Sequence, residues 1–236
     1  MPNYIKLGNL RIEIPEPANN GGGGGGGGSS SLLTGLLAFY NLSDLSDASG
    51  NGNTLTNTNG VSFSSGKIGN AATFGGSNGL TKSVASMLMP KTISAWAKVY
   101  SDGGYRGIVL PGNTTSWQFG FQLTPGNNLR AGAEGYSGSQ YANASSPMSN
   151  DIWYHLVMTN DSDLTKLYIN GALNSQQQSS FPQGTQEIAL SIGSHWYGAD
   201  GINGQVDAVG FWSRALTDAE ITELYNAGAG KEHPFA

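Results

Sequence analysis

Hydrophobic and polar positions alternate with a period of two through much of this chain. The clearest case is residues 151–175, DIWYHLVMTNDSDLTKLYINGALNS. Trp153, His155, Val157 and Thr159 fall on one side of an extended segment, and Tyr154, Leu156 and Met158 fall on the other. A polar break at 160–163 separates this run from a second one at 164–169, which ends at Asn170-Gly171. Alternation bounded by Asn, Asp and Gly reads as antiparallel strands. Asn-Gly tolerates positive φ at both positions and so predicts a tight hairpin turn, with the polar break forming a four-residue turn before it. Further strand-like runs occur at residues 35–40, 93–99, 106–110, 117–123, 129–134, 185–193 and 206–212. In the run at 117–123, Trp117, Phe119, Phe121 and Leu123 share a face, and a long polar loop is expected over 135–149. Short strands separated by turn signals predict an all-β chain folded as a two-sheet antiparallel sandwich. One helix is expected, over 217–225. Thr217 followed by Glu220 makes a capping box, Ile221, Leu224 and Tyr225 share a face, and Gly228 is a natural stop.

The two ends break the pattern. In residues 1–14, Leu10, Ile12 and Ile14 alternate with Arg11 and Glu13, as in a half-buried strand. A lone strand requires a partner sheet, so this segment reads either as an anchor onto another subunit or protein, or as a loose leader. Residues 15–31 hold eight consecutive glycines flanked by Pro, Asn and Ser, the composition of a flexible spacer; a packed glycine patch is the other reading. The sandwich is expected over 32–230. The tail 231–236 is expected to be loose unless something grips Phe235.

Composition narrows the possibilities. The chain has 236 residues, 36 of them glycine, no cysteine and a net charge of −5, and only 11% of residues are charged. Polarity is therefore carried by Ser, Thr, Asn and Gln, and no disulfide holds the fold. No apolar stretch is long enough for a membrane span, and the N-terminus does not read as a signal peptide. The mild acidity argues against nucleic acid, which needs a basic footprint.

Several segments carry a family likeness: GLLAFYNL at 35–42, DASGNGNTLTNTNG at 47–60, GNAATFGG at 69–76, TISAWAKV at 92–99, WYHLVMTNDSDLTKLYINGAL at 153–173, and GQVDAVGFWSRALTDAEITELYNAG at 204–228. Over residues 32–230 the chain resembles the laminin-G-like, concanavalin A-like lectin and glucanase jelly rolls. The resemblance implies a jelly-roll sandwich with one short C-terminal helix, and a binding or adhesion role more often than an enzymatic one. It also implies a structural calcium in the 47–53 loop, with Asp47, Asn51 and Asn53 as ligands and Asp207 of the last strand as clamp. Calcium favours hard oxygen donors on flexible loops, which this loop supplies. A loop held by its own hydrogen bonds, without metal, is the alternative.

Catalytic chemistry is hard to find. A glycosidase needs two facing carboxylates, and no Glu-x-Asp-x-x-Glu string occurs. His155 lies within a strand and reads as structural. Three scattered histidines without cysteine do not make a zinc site. For a glycan, aromatic residues in loops are the cue, because sugars stack on flat rings. His195, Trp196 and Tyr197, followed by Asp200, form the leading cluster, with Tyr105 and Tyr136 behind it. Trp117 and Tyr141 are further candidates, whereas Trp96 and Trp153 read as core. These features predict a non-catalytic, carbohydrate-binding adhesion or display module, bound through residues 1–14 to a larger particle such as a bacteriophage virion. The expected location is therefore the virion surface or the extracellular space. Its expected ligand is a glycan or cell-surface polysaccharide, and self-association of the sandwich stays open. The alternatives are a carbohydrate-binding domain of a secreted bacterial protein, a capsid or tail cement protein without an external ligand, and a glycoside hydrolase.

Overall fold

The computed structural model describes residues 4–7, 10–13, 30–82, 90–100, 103–112, 118–134, 140–161, 163–179, 188–195 and 200–235. Its strands, in chain order, are β1 (Tyr4–Leu7), β2 (Leu10–Glu13), β3 (Leu36–Tyr40), β4 (Thr56–Thr58), β5 (Ser62–Ser65), β6 (Asn70–Gly75), β7 (Gly79–Lys82), β8 (Thr92–Tyr100) and β9 (Arg106–Val109). They continue as β10 (Gln118–Thr124), β11 (Asn128–Glu134), β12 (Gln140–Asn143), β13 (Tyr154–Asp161), β14 (Leu164–Ile169), β15 (Ala172–Gln178), β16 (Leu190–Ile192) and β17 (Asn203–Trp212). A single α-helix follows among the described residues, α1 (Asp218–Tyr225).

Strands β12-β11-β10-β9-β16-β7-β4 make a seven-stranded sheet, and β15-β14-β13-β8-β17-β6-β5 make the opposing one, with β3 also paired to β17. The fold is thus an all-β, two-sheet antiparallel jelly-roll sandwich with one short C-terminal helix. Inward-facing residues of both sheets fuse into one core that includes Tyr40, Phe74, Ile93, Phe119, Phe121, Leu156, Met158 and Phe211. Burying such side chains is worth about 1.5–3 kcal/mol each, which supplies the stability that disulfides would otherwise provide.

A second apolar cluster lies on the outer face of the β8/β13/β17 sheet, where Trp96, Val157, Tyr168 and Trp212 meet Leu32 and the helix residues Ile221 and Leu224. Here β17 bulges between Asp207 and Gly210, with Ala208 at φ 46°. The bulge turns Asp207 and Ala208 to the same outer side. The Trp212 indole N–H donates to the Leu32 carbonyl at 2.7 Å, joining the entry of the domain to its last strand. The capping box forms as expected, with Thr217 accepting from the Glu220 amide and Glu220 from the Thr217 amide.

Three local expectations change. The polar break at 160–163 is shorter than its composition suggests, because Asn160 and Asp161 pair in register with Thr165 and Leu164. Buried Asn160 donates its side-chain amide to Thr165 Oγ1 at 2.9 Å, so ladder and side-chain bonds together absorb its polarity. The expected loop over 135–149 contains β12, which pairs with β11. The tail is gripped: Phe235 is buried and packs edge-on against Phe39 at 5.1 Å. The Asn170-Gly171 turn has φ 53° and 78°, as a tight hairpin demands.

In the head, β1 and β2 pair with each other, Ile5 opposite Ile12 and Leu7 opposite Leu10. The strand containing Leu10 and Ile12 therefore finds its first partner inside its own segment, as a separate two-stranded sheet. Ile14 and residues 15–29 lie outside the described residues.

Candidate functional site

The outer face of the seven-stranded sheet carries the most connected polar and aromatic cluster. On β10, Phe119, Phe121 and Leu123 point into the core, and on β11 Leu129, Ala131 and Ala133 do the same. Alternation therefore turns Gln122 and Arg130 outward, and the strand register sets them directly opposite one another. Arg130 Nε donates to Gln122 Oε1 at 2.7 Å, and its Nη2 bonds the same oxygen. The guanidinium lies 3.8 Å from the ring centre of Tyr141 and 5.4 Å from that of Tyr105. Two tyrosine faces thus flank one delocalised cation, an attraction worth roughly 0.5–2 kcal/mol per ring.

Gln122 extends the network. Because its Oε1 accepts from Arg130, its Nε2 is the end that faces His195 Nε2, at 3.2 Å. An amide N–H can only donate, so this arrangement selects the neutral imidazole with its proton on Nδ1. Gln122 and His195 are both buried, whereas Tyr105 is 52% exposed. The backbone around His195 is held close to β9. A Cβ on Gly107 would lie 2.8 Å from the Ser194 carbonyl, so no larger residue fits between these strands. Beside it, the Gly107 amide donates to the Asp200 carbonyl at 3.0 Å, and Arg106 Nη1 lies 3.7 Å from Asp200 Oδ1.

Of the six predicted ligand residues, the fold brings Tyr105, His195 and Asp200 into this one cluster. Trp196, Tyr197 and Tyr136 lie outside the described residues. Tyr141 joins the cluster. Arg106, Gln122 and Arg130 were not singled out by sequence reasoning. The signal available for Gln122 and Arg130 was the outward phase of two strands, but pairing them required the β10–β11 register. The cluster offers flat faces, fixed donors and fixed acceptors. It holds one described carboxylate, that of Asp200, not the facing pair that glycoside hydrolysis requires.

The predicted calcium residues occupy two different settings. The Asp47 carboxylate accepts from the amides of Phe39 (3.1 Å), Ser49 (3.0 Å) and Asn53 (2.9 Å), and from the Ser49 hydroxyl at 2.6 Å. Asn51 and Asn53 donate their side-chain amides to the Leu37 carbonyl, at 3.2 and 3.0 Å. This loop is satisfied by its own hydrogen bonds. Asp207 is different. It is fully buried; its Oδ2 accepts from the Lys67 and Ile68 amides at 2.9 and 2.8 Å, and no well-aligned hydrogen bond reaches its Oδ1 among the described residues. Burial pushes its pKa up to about 7, against the pull of backbone amides, and the nearby Glu232 carboxylate adds to the rise. Among the described residues, no group of three His, Cys, Asp or Glu side chains could hold a metal.

His155 is structural in the sense expected. Its Nε2 lies 3.0 Å from Ser94 Oγ, and its ring packs against both Trp96 and Tyr225, which also stack on each other.

A family model described as the concanavalin A-like lectin/glucanases superfamily matches residues 65–222. No curated protein matches the sequence. Among solved structures, the sandwich is similar to domain 4 of AbnA, an extracellular arabinanase from Geobacillus stearothermophilus, solved with arabinotriose. That match has a TM-score of 0.60 and 22% identity, and covers 80% of this chain and 97% of that one. It is also similar to the binding domain of Paraclostridial Mosquitocidal Protein 1, with a TM-score of 0.64 and 20% identity over 84% of this chain and 53% of that one. The receptor-binding domain of botulinum neurotoxin D aligns with a TM-score of 0.59 and 15% identity, over 84% of this chain and 54% of that one. The chain thus spans about half the length of the two toxin domains. At these identities the likeness establishes the fold.

Proposed function

The chain belongs to the concanavalin A-like lectin/glucanase superfamily, and on that premise we propose that its sandwich is a non-catalytic carbohydrate-binding module. Its binding surface is the outer face of the seven-stranded sheet, around Tyr105, Gln122, Arg130, Tyr141 and His195. The observation that carries this reading is the Tyr105–Arg130–Tyr141 stack. It presents a rigid flat surface for the C–H face of a sugar ring, while the exposed Asp200 carboxylate supplies a hydrogen-bond acceptor at its edge and buried Gln122 holds the Arg130 guanidinium in place. The arabinotriose complex of the AbnA domain and the binding roles of the two toxin domains support a module of this kind, acting outside the cell. The test is calorimetric titration with arabino-oligosaccharides first and then a glycan array. Tyr141→Ala should reduce affinity about tenfold or more without lowering the melting temperature by more than a few degrees, as for loss of one stacked aromatic. Unchanged affinity in Tyr141→Ala and Tyr105→Ala would exclude this face.

A structural calcium ion is part of the same reading, centred on Asp207 rather than on Asp47. The buried, unpartnered Oδ1 of Asp207 and the neighbouring Glu232 are hard oxygen donors of the kind calcium selects, and the Asp47 loop needs no ion to satisfy it. When bound, the ion would supply charge compensation for a carboxylate buried in an apolar sheet.

A second reading adds attachment to a particle such as a virion. The hairpin at residues 4–13 favours it, because a two-stranded sheet is marginal in water without further packing. The extracellular arabinanase domain and the two toxin binding domains favour the free module as the leading account. Removal of residues 1–29 should abolish co-purification with a particle under the second reading and leave glycan binding intact under both.

A further inference from the structure

We propose that the chain carries a second, independent sugar site on the opposite side of the sandwich, a cavity that takes one neutral monosaccharide ring. The cavity has a volume of about 250 Å³ and lies between the outer face of β13–β14 and the 215–218 segment that leads into α1. That is room for about eight waters, enough to seat one sugar ring.

Its floor is the cross-strand pair Thr159 and Lys166. Directly opposed residues on an antiparallel pair place their side chains side by side. Thr159 is 4% exposed, yet its hydroxyl has no hydrogen-bond partner among the described residues. Lys166 likewise makes no ion pair or hydrogen bond among them. A hydroxyl and a lysine with no protein partner among the described residues both face the same half-open pocket, where a polar ligand can replace the water that meets them.

The walls restrict what that ligand is. Leu164, Ala215 and Leu216 line the cavity with apolar surface. Asp161 and Asp218 stand at it as carboxylates: Lys91 Nζ lies 3.6 Å from Asp161, and the Tyr168 hydroxyl donates to Asp218 at 2.8 Å. Lys91 and Lys166 thus balance Asp161 and Asp218. An anionic ligand would meet two carboxylates, a cationic one would meet the Lys166 ammonium, and an apolar one would leave Thr159 and Lys166 without partners. A neutral polyol ring satisfies all the groups: its hydroxyls meet Thr159, Lys166 and the carboxylate edges, and its C–H face meets Leu164, Ala215 and Leu216.

The cavity is also preformed. The Leu216 amide donates to Thr92 Oγ1 at 3.0 Å, and Glu220 ties Thr217 and Arg214 in place. Little ordering is left for binding to supply, which favours even a small ligand.

The test is a chemical-shift titration of the isotopically labelled full chain with D-glucose, D-galactose, D-mannose, L-arabinose and D-glucuronate. One of the neutral sugars is expected to shift the resonances of Thr159, Leu164, Lys166 and Leu216. Thr159→Val and Lys166→Gln should each weaken that sugar about tenfold, the worth of one hydrogen bond. In Tyr141→Ala the shifts at Thr159, Leu164, Lys166 and Leu216 should persist with the wild-type midpoint whatever happens at the face described above, so the two readings fail separately. Absence of shifts at these residues with every neutral sugar would overturn the proposal. So would wild-type affinity in the folded Lys166→Gln protein, or glucuronate binding more tightly than the neutral sugars.

Discussion

His155 sits where a charge is poorly tolerated: it is 1% exposed, and its Nδ1 has no hydrogen-bond partner among the described residues. Burial pushes its pKa down to about 3 from the ordinary 6.5. A folded-state value below the unfolded one contributes stability that is fully present above pH 6.5 and is lost as pH falls toward 3. The span corresponds to on the order of 5 kcal/mol. His155→Gln, which keeps an acceptor for Ser94 but does not titrate, should flatten the stability profile between pH 6.5 and 3.5. Urea midpoints measured across that range decide it; a variant with the wild-type slope would show that other groups cause the acid loss. Asp207 has the opposite sign. Its pKa is raised from 3.8 to about 7, mainly by burial, so its contribution is most favourable below pH 3.8 and declines as pH rises through 7. Asp207→Asn should therefore stabilise the metal-free protein at pH 8, by about 2 kcal/mol, and should remove any calcium-dependent rise in melting temperature. A calcium response that survives in Asp207→Asn would move the ion elsewhere. The sequence showed that a charge stood among apolar neighbours in the last strand. That one of its oxygens is orphaned depends on the bulge at 207–210 and on Lys67 and Ile68, far away in the chain.

At the scale of elements, the join between the first and last segments rests on Arg214. Its guanidinium pairs with Glu220 at 2.7 and 2.5 Å, and donates to the carbonyls of Thr34 at 2.8 Å and Ser31 at 2.9 Å. One side chain therefore ties the 3-10 turn at Ser31–Leu33 to the helix cap. The Arg214 bonds hold the Glu220 carboxyl down at about 2, against a partial burial that would raise it. This depressed value gives stability present above pH 4.5 and lost as pH falls toward 2. Arg214→Ala should lower unfolding free energy by about 2–3 kcal/mol, because it strands a nearly buried carboxylate. Arg214→Lys should recover only part, since an ammonium cannot reproduce the paired geometry. Denaturant unfolding distinguishes these outcomes; equal stability of Arg214→Ala and wild type would remove the clamp. The capping box was legible locally, since Thr217 and Glu220 lie three apart. Arg214's contacts with Ser31 and Thr34 were not, because they cross about 180 residues of chain.

For the whole molecule, the backbone of β1 and β2 pairs only within its own two-stranded sheet among the described residues. Deletion of residues 1–29 should therefore leave the melting temperature of the sandwich within about 2 °C of the full chain, below the shift that a lost contact of 1 kcal/mol would give. A larger drop in a calorimetric scan would mean that the head packs on the sandwich. The sandwich itself presents two chemically different outer faces, the tyrosine–arginine face of the seven-stranded sheet and the Thr159–Lys166 cavity beside the helix. If each takes a sugar, one chain can bridge two glycan branches, and avidity follows from geometry.

The sequence by itself determined the all-β class, the period-two faces that became the core, the Asn170-Gly171 hairpin and the capped final helix. These are local properties, set by side-chain alternation and by φ preferences within a few residues. Only the tertiary structure decided which outward-facing residues meet. Tyr105, Gln122, Arg130, Tyr141 and His195 come from five separate stretches, and strand register and strand order bring them together. The same holds for Thr159, Lys166 and Leu216. A site assembled across strands leaves no spacing signal in the chain, because the distance between its members is fixed by sheet topology and not by sequence separation.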